Sequence, residues 1–368
     1  MTPIHLSIDF ETRSTVDLKA AGLDNYVKHA STDVWCMGYA FGDEPVEIWT
    51  PPAPCPPRIR EHTEGGGTLC AHNASFEFQV WNGVAAPRYG WPELRLEQLD
   101  CTMARAYAMS LPGSLEKAAA AVGIREQKDL AGGRLMMQMA RPRSYHGDTG
   151  PNSTPNMYAD DPQRAPIWWD DADKLQALYE YCKQDVRVER ELAKRLMPLS
   201  DDEQALWVLD QRINARGVYV DREAVQAAIG IVRAEQDRLN KEMRRVTKNF
   251  VGFCTETARI TKWVQSRGVP VDGIAKADVL DALERTDLPA DVREALLLRQ
   301  EAGKSSTAKL SAMLAAASED GRLRGMFQYH GAGTGRWAGR KVQLHNLPRP
   351  SMKQDEIERV FDVLGDVA

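Results

Sequence analysis

Short apolar runs separated by turn residues dominate the first hundred residues of the chain. The runs are HLSIDFE (5–11), VWCMGYAFG (34–42), PVEIWT (45–50) and TLCAHN (68–73). They are rich in β-branched and aromatic residues, and Gly and Pro lie between them, which predicts strands joined by turns. A short helix is predicted from the following segment GSLEKAAAAVG, with Ser114 as its N-cap and Gly123 as its stop.

Helical periodicity appears between Asp171 and Met197. Apolar positions recur there every three or four residues, and Pro198 ends the pattern. Strands first and helices around them predict an α/β domain with a central sheet. The Gly- and Pro-rich stretch 141–166 interrupts this pattern and is predicted to be a mobile excursion.

The pattern beyond Pro198 is mainly helical. Residues 201–221 predict a helix, a Gly turn and a short strand, and a long helix is predicted from Arg222 to Val246 with Asp221 as its N-cap. We therefore predict three regions, with residues 1–197 as the α/β domain, 198–320 as a helical region and 321–368 as the start of a further domain.

Composition restricts the class of protein. The 368 residues include no run of 18 apolar side chains, and the N-terminus lacks the basic and apolar regions of a signal peptide. The six cysteines form no Cys-x-x-Cys pair, so neither disulfides nor a structural zinc site are predicted. These features predict a cytoplasmic protein without a membrane partner.

Charge is distributed unevenly. Residues 1–197 carry 21 Lys and Arg against 27 Asp and Glu, whereas residues 299–349 carry nine basic residues against three acidic ones. A local basic excess is typical of a surface that faces phosphates, although a solvated basic face gives the same count.

Polar residues with the potential for chemistry occur at three places in the predicted α/β domain. Asp9 and Glu11 are two apart on a predicted strand and so share one face. Their like charges favour a cation between them, although a solvated strand end gives the same pattern. Glu77 follows the apolar run 68–71, and Tyr181 and Asp185 lie one above the other on the predicted 171–197 helix.

In this order the motifs resemble those of the 3′→5′ proofreading exonuclease of family A DNA polymerases, the type with a tyrosine in its third motif. Asp9 and Glu11 match the first motif, and Tyr181 and Asp185 match the third. Asn73 and Glu77 match the second, where the family usually has Asn-x-x-x-Asp. The resemblance implies an RNase-H-like fold for residues 1 to about 197.

The resemblance also implies two divalent ions, Mg²⁺ or Mn²⁺, which carboxylates bind well. Asp9 is expected to bridge both ions, with Glu11 and Asp185 on the first and Glu77 on the second. Tyr181 is expected to orient the attacking water. Asn73 and Phe76 are expected to support the strand end and the nucleotide, and Asp100 is the alternative ligand should Glu77 not serve.

The second half of the chain resembles later parts of the same family. Residues 209–221 resemble the opening of the thumb, and 321–350 resemble the start of the polymerase domain, where a Thr-Gly-Arg turn meets the primer–template duplex. The residues expected to contact DNA there are Thr334, Arg336, His345, Asn346 and Arg349. The family often has Gln at the position of His345. Gly-rich backbone with Arg, Thr and Asn suits contacts to phosphates and base edges.

Three interpretations remain open. The first is the exonuclease and thumb part of a family A polymerase, with the single-stranded 3′ end and the primer–template duplex of DNA as partners, in a bacterial or phage-infected cell. Because the palm and fingers do not follow, a fragment, a split gene or a truncated frame is expected, and a separately encoded palm–fingers chain is a further possible partner. The second is a stand-alone exonuclease of DNA or RNA. The third is a catalytically silent DNA-binding subunit.

Overall fold

A computed structural model describes residues 5–124, 130–146, 165–303, 307–347 and 352–366 of the chain. The chain forms two compact units, the first made of Met1–Val218 and Ser318–His345 and the second of Tyr219–Ala317 and Asn346–Ala368. The three-region division at residues 197 and 320 stays a prediction.

The strands are short apart from the first two. They are β1 (Leu6–Arg13), β2 (Asp33–Phe41), β3 (Glu47–Trp49), β4 (Leu69–Ala71), β5 (Leu99–Cys101), β6 (Ser144–Tyr145), β7 (Pro166–Ile167), β8 (Val218–Tyr219), β9 (Arg322–Leu323), β10 (Phe327–Gln328) and β11 (Ala338–Gly339). The four predicted strand runs are confirmed as β1 to β4.

Helices occupy most of the remaining described chain. They are α1 (Leu18–Ala21), α2 (Leu23–Lys28), α3 (Pro57–Glu64), α4 (Ala74–Val80), α5 (Ala86–Tyr89), α6 (Thr102–Ala108), α7 (Leu115–Ala121), α8 (Leu130–Met139), α9 (Ala172–Arg195), α10 (Asp201–Arg216), α11 (Arg222–Val246), α12 (Thr257–Ser266), α13 (Lys276–Glu284), α14 (Ala290–Ala302), α15 (Ala308–Ala316) and α16 (Gln354–Asp366). A π-helical turn spans Trp81–Ala85, and 3₁₀ turns span Leu96–Gln98 and Leu344–Asn346.

The first unit is built on a five-stranded sheet of order β3-β2-β1-β4-β5. Strand β2 pairs antiparallel with both β1 and β3, whereas β4 pairs parallel with both β1 and β5. The predicted fold class, an α/β domain with a mixed central sheet followed by a mainly helical region, is confirmed. Strand β1 lies at the centre, where a strand has neighbours on both edges.

The two faces of β1 have different environments, as the alternation of its side chains requires. Ile8 and Phe10 enter the main apolar core, where the Phe10 ring lies edge-on to Trp81 with 6.4 Å between centroids. Helix α9 covers the other face. It approaches closely because β2 has Gly38 at the contact, where a β-carbon would lie 3.0 Å from Val186 and 3.1 Å from the Cys182 sulfur.

Helix α10 attaches the returning segment 318–345 to the first unit. The side-chain amide of Asn214 accepts a hydrogen bond from the Phe327 N–H at 2.9 Å and donates one to the Phe327 carbonyl at 2.9 Å. Asn214 therefore pairs with the backbone of β10 as a neighbouring strand would. After α10, Gly217 has φ 71°, and a β-carbon there would lie 2.8 Å from the Leu323 carbonyl oxygen, so the turn requires glycine.

The second unit is a helical assembly with its own apolar core, which includes Met243, Val264 and Leu296. Helix α11 begins at Arg222 and ends at Val246, and the Asp221 carboxylate accepts the Ala224 N–H at 2.9 Å, which confirms the predicted helix and its cap.

Other local predictions can be compared with the described residues. Ser114 caps α7 as predicted. The predicted mobile excursion 141–166 lies largely outside the described residues, and its described ends form the β6–β7 pair. The six cysteines are free thiols. Among the described residues, none of the helices has the length and apolar character that crossing a membrane requires.

Candidate active site

Asp9 and Glu11 lie on the central strand and face α9. They pair in register with Gly38 and Cys36 of β2, and a register shift after Glu11 marks a bulge. The Cys182 thiol of α9 donates to the Asp9 backbone carbonyl at 3.3 Å and lies 3.6 Å from Asp9 Oδ2. One ligand atom from each of Asp9, Glu11 and Cys182 lies within 4.8 Å of the other two. The α9-facing side of β1 is therefore a compact group of potential metal ligands.

Tyr181 and Asp185 lie one turn apart on α9, and both are buried, with 2% and 5% of their surface exposed. Burial, followed by the charges of Asp185 and Glu11, raises the pKa of the Tyr181 phenol. Because the phenol keeps its proton at neutral pH, it can donate a hydrogen bond into the site. Its ring packs with Met139 and Leu178, which fixes the direction of the hydroxyl.

Glu77 contacts β1 along the edge that pairs with β4. Strand β4 pairs with β1 only at Leu6 and Ser7, so Phe10 lies beyond the end of that ladder. The Phe10 N–H donates instead to Glu77 Oε2 at 3.0 Å. The carboxylate thus takes the place of a strand carbonyl, and the requirement to pair a buried N–H holds Glu77 at the site.

The charge of Asp9 affects Glu77 directly. Burial, and then the negative charge of Asp9, raises the pKa of Glu77, while the Phe10 hydrogen bond lowers it. Asn73 precedes α4 with φ 69°, a left-handed conformation that Asn tolerates, and its Oδ1 lies 3.2 Å from the Ser75 hydroxyl. Phe76 is half-buried against the main core.

Two residues of this region were not predicted. Cys182 is one of the recurring apolar positions of the predicted 171–197 helix, and its i, i+3 spacing to Asp185 places both on the same side. Glu189 lies four residues after Asp185, as Asp185 lies four residues after Tyr181. The i, i+4 rule therefore places all three on one helical face, and this spacing could have identified Glu189. Glu189 is buried, it accepts the Cys70 thiol at 3.1 Å, and burial raises its pKa to about 7.

Asp100, the alternative ligand, has a different environment. Its Oδ2 lies 3.0 Å from the Arg105 guanidinium. Arg105 also donates to the backbone carbonyls of Ala193, Leu196 and Met197 at the end of α9. A cation at that helix end is favourable, so the Asp100–Arg105 pair holds the helix that carries Tyr181 and Asp185.

The donor chemistry of the site suits a hard divalent cation. Carboxylate oxygens are the ligands that Mg²⁺ and Mn²⁺ prefer, and Asp9 and Glu11 converge within the 4.8 Å group. Glu77 interacts electrostatically with Asp9, and Tyr181 interacts electrostatically with Asp185, Glu11 and Asp9. Buried acids that interact in this way repel one another and are stabilised by a bound cation.

The residues predicted to contact duplex DNA belong to a different segment. Thr334 and Arg336 are exposed in the loop between β10 and β11, where Gly335 has φ 75°. His345 is exposed, and its ring lies against Gly339, where a β-carbon would be 2.0 Å from the ring. Asn346 begins the last segment of the second unit, and its carbonyl accepts the Lys309 ammonium at 3.1 Å. Arg349 lies outside the described residues.

The chain is similar to known polymerases. It is 33% identical over 364 residues to a DNA polymerase of Bacillus phage SP02, an alignment that covers 96% of this chain and 53% of the phage protein. The chain thus spans about half the length of the curated relative that it matches. No protein-family model matches the chain.

A solved structure has a related fold. It is the POL domain of Pol1 from M. smegmatis in complex with DNA primer-template and dNTP, with a TM-score of 0.54 and 13% identity over 95% of this chain and 53% of that one. Identity this low establishes a likeness of fold alone. The sequence similarity to the phage protein supports a relationship to DNA polymerases.

Proposed function

We propose that this chain is the part of a DNA polymerase that carries a 3′→5′ proofreading exonuclease, which hydrolyses the 3′-terminal phosphodiester of DNA. The observation that carries the proposal is the convergence of Asp9 and Glu11 of β1 on the face of α9 that bears Tyr181 and Asp185. The similarity to the phage polymerase supports the replicative context.

Asp9, Glu11, Glu77 and Asp185 would hold two Mg²⁺ or Mn²⁺ ions. Such a pair supplies an activated water and stabilises the leaving 3′-oxygen. The protein contributes rigid placement of the ligands. Asp9 is fixed by β1 pairing and Glu77 by the Phe10 N–H.

Tyr181 would position the attacking water by a hydrogen bond from its phenol. Its pKa is raised, so the phenol does not compete with the carboxylates as an anionic ligand. Asn73 and Phe76, which border Glu77 at the start of α4, would contact the terminal nucleotide.

The β10–β11 loop is the second part of the proposal. Thr334 and Arg336 are exposed on it, so their side chains are available to the grooves or phosphates of a primer–template duplex. His345, Asn346 and Arg349 would extend this contact along the chain. The basic excess of residues 299–349 suits a polyanionic partner.

The test is degradation of 3′-labelled single-stranded DNA by the purified chain. We expect loss of 3′ nucleotides with Mg²⁺ or Mn²⁺, no loss in EDTA, and no activity for Asp9→Ala. Asp43→Ala is the matched control because Asp43 is exposed and pairs with Lys194 on the surface. Activity of Asp9→Ala equal to that of the wild type, or activity in excess EDTA, refutes the assignment.

A further inference from the structure

Cys182 gives the carboxylate group a soft ligand that two-metal hydrolysis does not use. We propose that Asp9, Glu11 and Cys182 form a binding site for a thiophilic divalent cation, Zn²⁺ or Cd²⁺, which excludes the hard ions because it shares Asp9 and Glu11 with them. The inhibitory consequence rests on the proposed exonuclease function, whereas the binding itself does not.

The geometry is already close to that of a zinc site. Tetrahedral zinc with a Zn–S bond of about 2.3 Å and a Zn–O bond of about 2.1 Å separates the sulfur from the oxygen by about 3.6 Å. The Cys182 sulfur lies 3.6 Å from Asp9 Oδ2. One Glu11 ligand atom lies within 4.8 Å of the Cys182 sulfur and of an Asp9 carboxylate oxygen, so Glu11 is the third ligand that the site offers.

The backbone around Cys182 holds its sulfur beside Asp9. The Gly38 N–H donates to the Cys182 sulfur at 3.1 Å. Burial, followed by the neighbouring Cys36 and the charges of Asp9 and Glu11, raises the pKa of the Cys182 thiol, so the bound ion itself has to displace the thiol proton. The absence of a side chain at Gly38 lets the sulfur sit this close to the strand. Asp9 is half-buried, whereas Glu11 and Cys182 are buried, so we expect an ion to reach the site past the Asp9 carboxylate.

The charge change favours a dication. Before binding, the two carboxylates carry two negative charges and the thiol none. Binding releases the thiol proton to solvent and places a 2+ ion among three anionic ligands, so the net charge of the site falls in magnitude from two to one. Thiolate ligands select Zn²⁺ and Cd²⁺ over Mg²⁺, so excess Mg²⁺ does not displace the ion readily.

The test uses the full metal-free chain and Cd²⁺, whose bond to a thiolate gives an ultraviolet charge-transfer band. We expect this band in the wild type, and affinity weaker by roughly tenfold or more, with loss of the band, in Cys182→Ser and in Cys182→Ala. Cys254→Ser is the matched control, since Cys254 is a buried free thiol of the second unit. Circular dichroism and thermal unfolding check that each variant folds.

A second measurement tests the inhibition. Zn²⁺ should inhibit Mg²⁺-dependent exonuclease activity of the wild type at concentrations roughly tenfold lower than those needed for Cys182→Ser. If the chain has no nuclease activity, the proposed function fails but the Cd²⁺ band still reports on the site. The inference is overturned by a wild type without the band, or by a band of equal intensity and affinity in Cys182→Ser.

Discussion

Asp210 offers a sharp test of how the first unit is held together. It lies on α10 with 2% of its surface exposed, and its Oδ2 accepts the side-chain amides of Asn214 at 3.1 Å and Gln211 at 2.9 Å. Burial raises its pKa from 3.8 to about 7, partly offset by the hydrogen bonds that it accepts. The folded chain therefore retains a proton that the unfolded chain releases at lower pH.

The sign and size of the effect follow from this difference. Between about pH 4 and pH 7 the folded state binds more protons than the unfolded state, so the free energy of unfolding falls as the pH rises. The contribution is fully present below about pH 4 and absent above about pH 7. With about 1.4 kcal/mol for each pKa unit, Asp210 lowers the stability by about 3 kcal/mol between pH 5 and pH 8.

Asp210→Asn removes the charge and keeps an oxygen acceptor. We expect the variant to lack this pH-dependent loss, so that it exceeds the wild type in stability at pH 8 by about 3 kcal/mol more than at pH 5. Urea unfolding followed by tryptophan fluorescence is suitable, because eight of the nine tryptophans lie in the first unit. Asp201→Asn on the exposed start of α10 is the control. An equal stability difference at both pH values would refute the buried-charge argument.

Three further predictions concern the candidate active site. Tyr181→Phe should slow single-turnover exonuclease cleavage by roughly ten- to a thousandfold, because only the water-orienting hydroxyl is lost, and an unchanged rate would leave Tyr181 a packing residue. Glu77→Asp should retain activity in the same assay and Glu77→Ala should lose most of it, whereas equal rates would place the ligand elsewhere. Calorimetry should show that Mg²⁺ at 100 times its Kd stabilises the chain by about 2.7 kcal/mol. That shift should be absent from Asp9→Ala/Glu11→Ala, and an equal shift there would place the ion at another site.

The regular elements could be predicted because their signals are local. A short apolar run bounded by turn residues predicted β1, and the Asp221 cap supported the prediction of α11 from Arg222 to Val246. The i, i+4 rule likewise placed Tyr181 and Asp185 on one helical face. What could not be read locally was the edge of β1, because the pairing of Phe10 with Glu77 joins residues 67 positions apart.

The same limit applies to the surroundings of the site. The proximity of Cys182 to Asp9 depends on how closely α9 approaches the sheet, and that depends on Gly38 of another strand. The return of residues 318–345 to the first unit likewise results from contacts of α10 with β10, which no spacing along the chain reveals. The roles assigned to the site residues stay predictions until the enzymatic tests are done.

The hydrogen bonds between Asn214 and Phe327 restrict where the chain can be truncated without loss of the first unit's structure. A recombinant fragment that stops at residue 217 would leave the Asn214 amide and the Asp210 carboxylate facing water, and Tyr329 would be missing from the main core. The smallest form of the first unit that folds on its own is therefore expected to be discontinuous, with residues 1–218 joined to 318–345 by a short artificial linker in place of residues 219–317. In the uncut 368-residue chain, limited proteolysis would be expected to cleave within residues 219–317 before it separates residues 1–218 from residues 318–345.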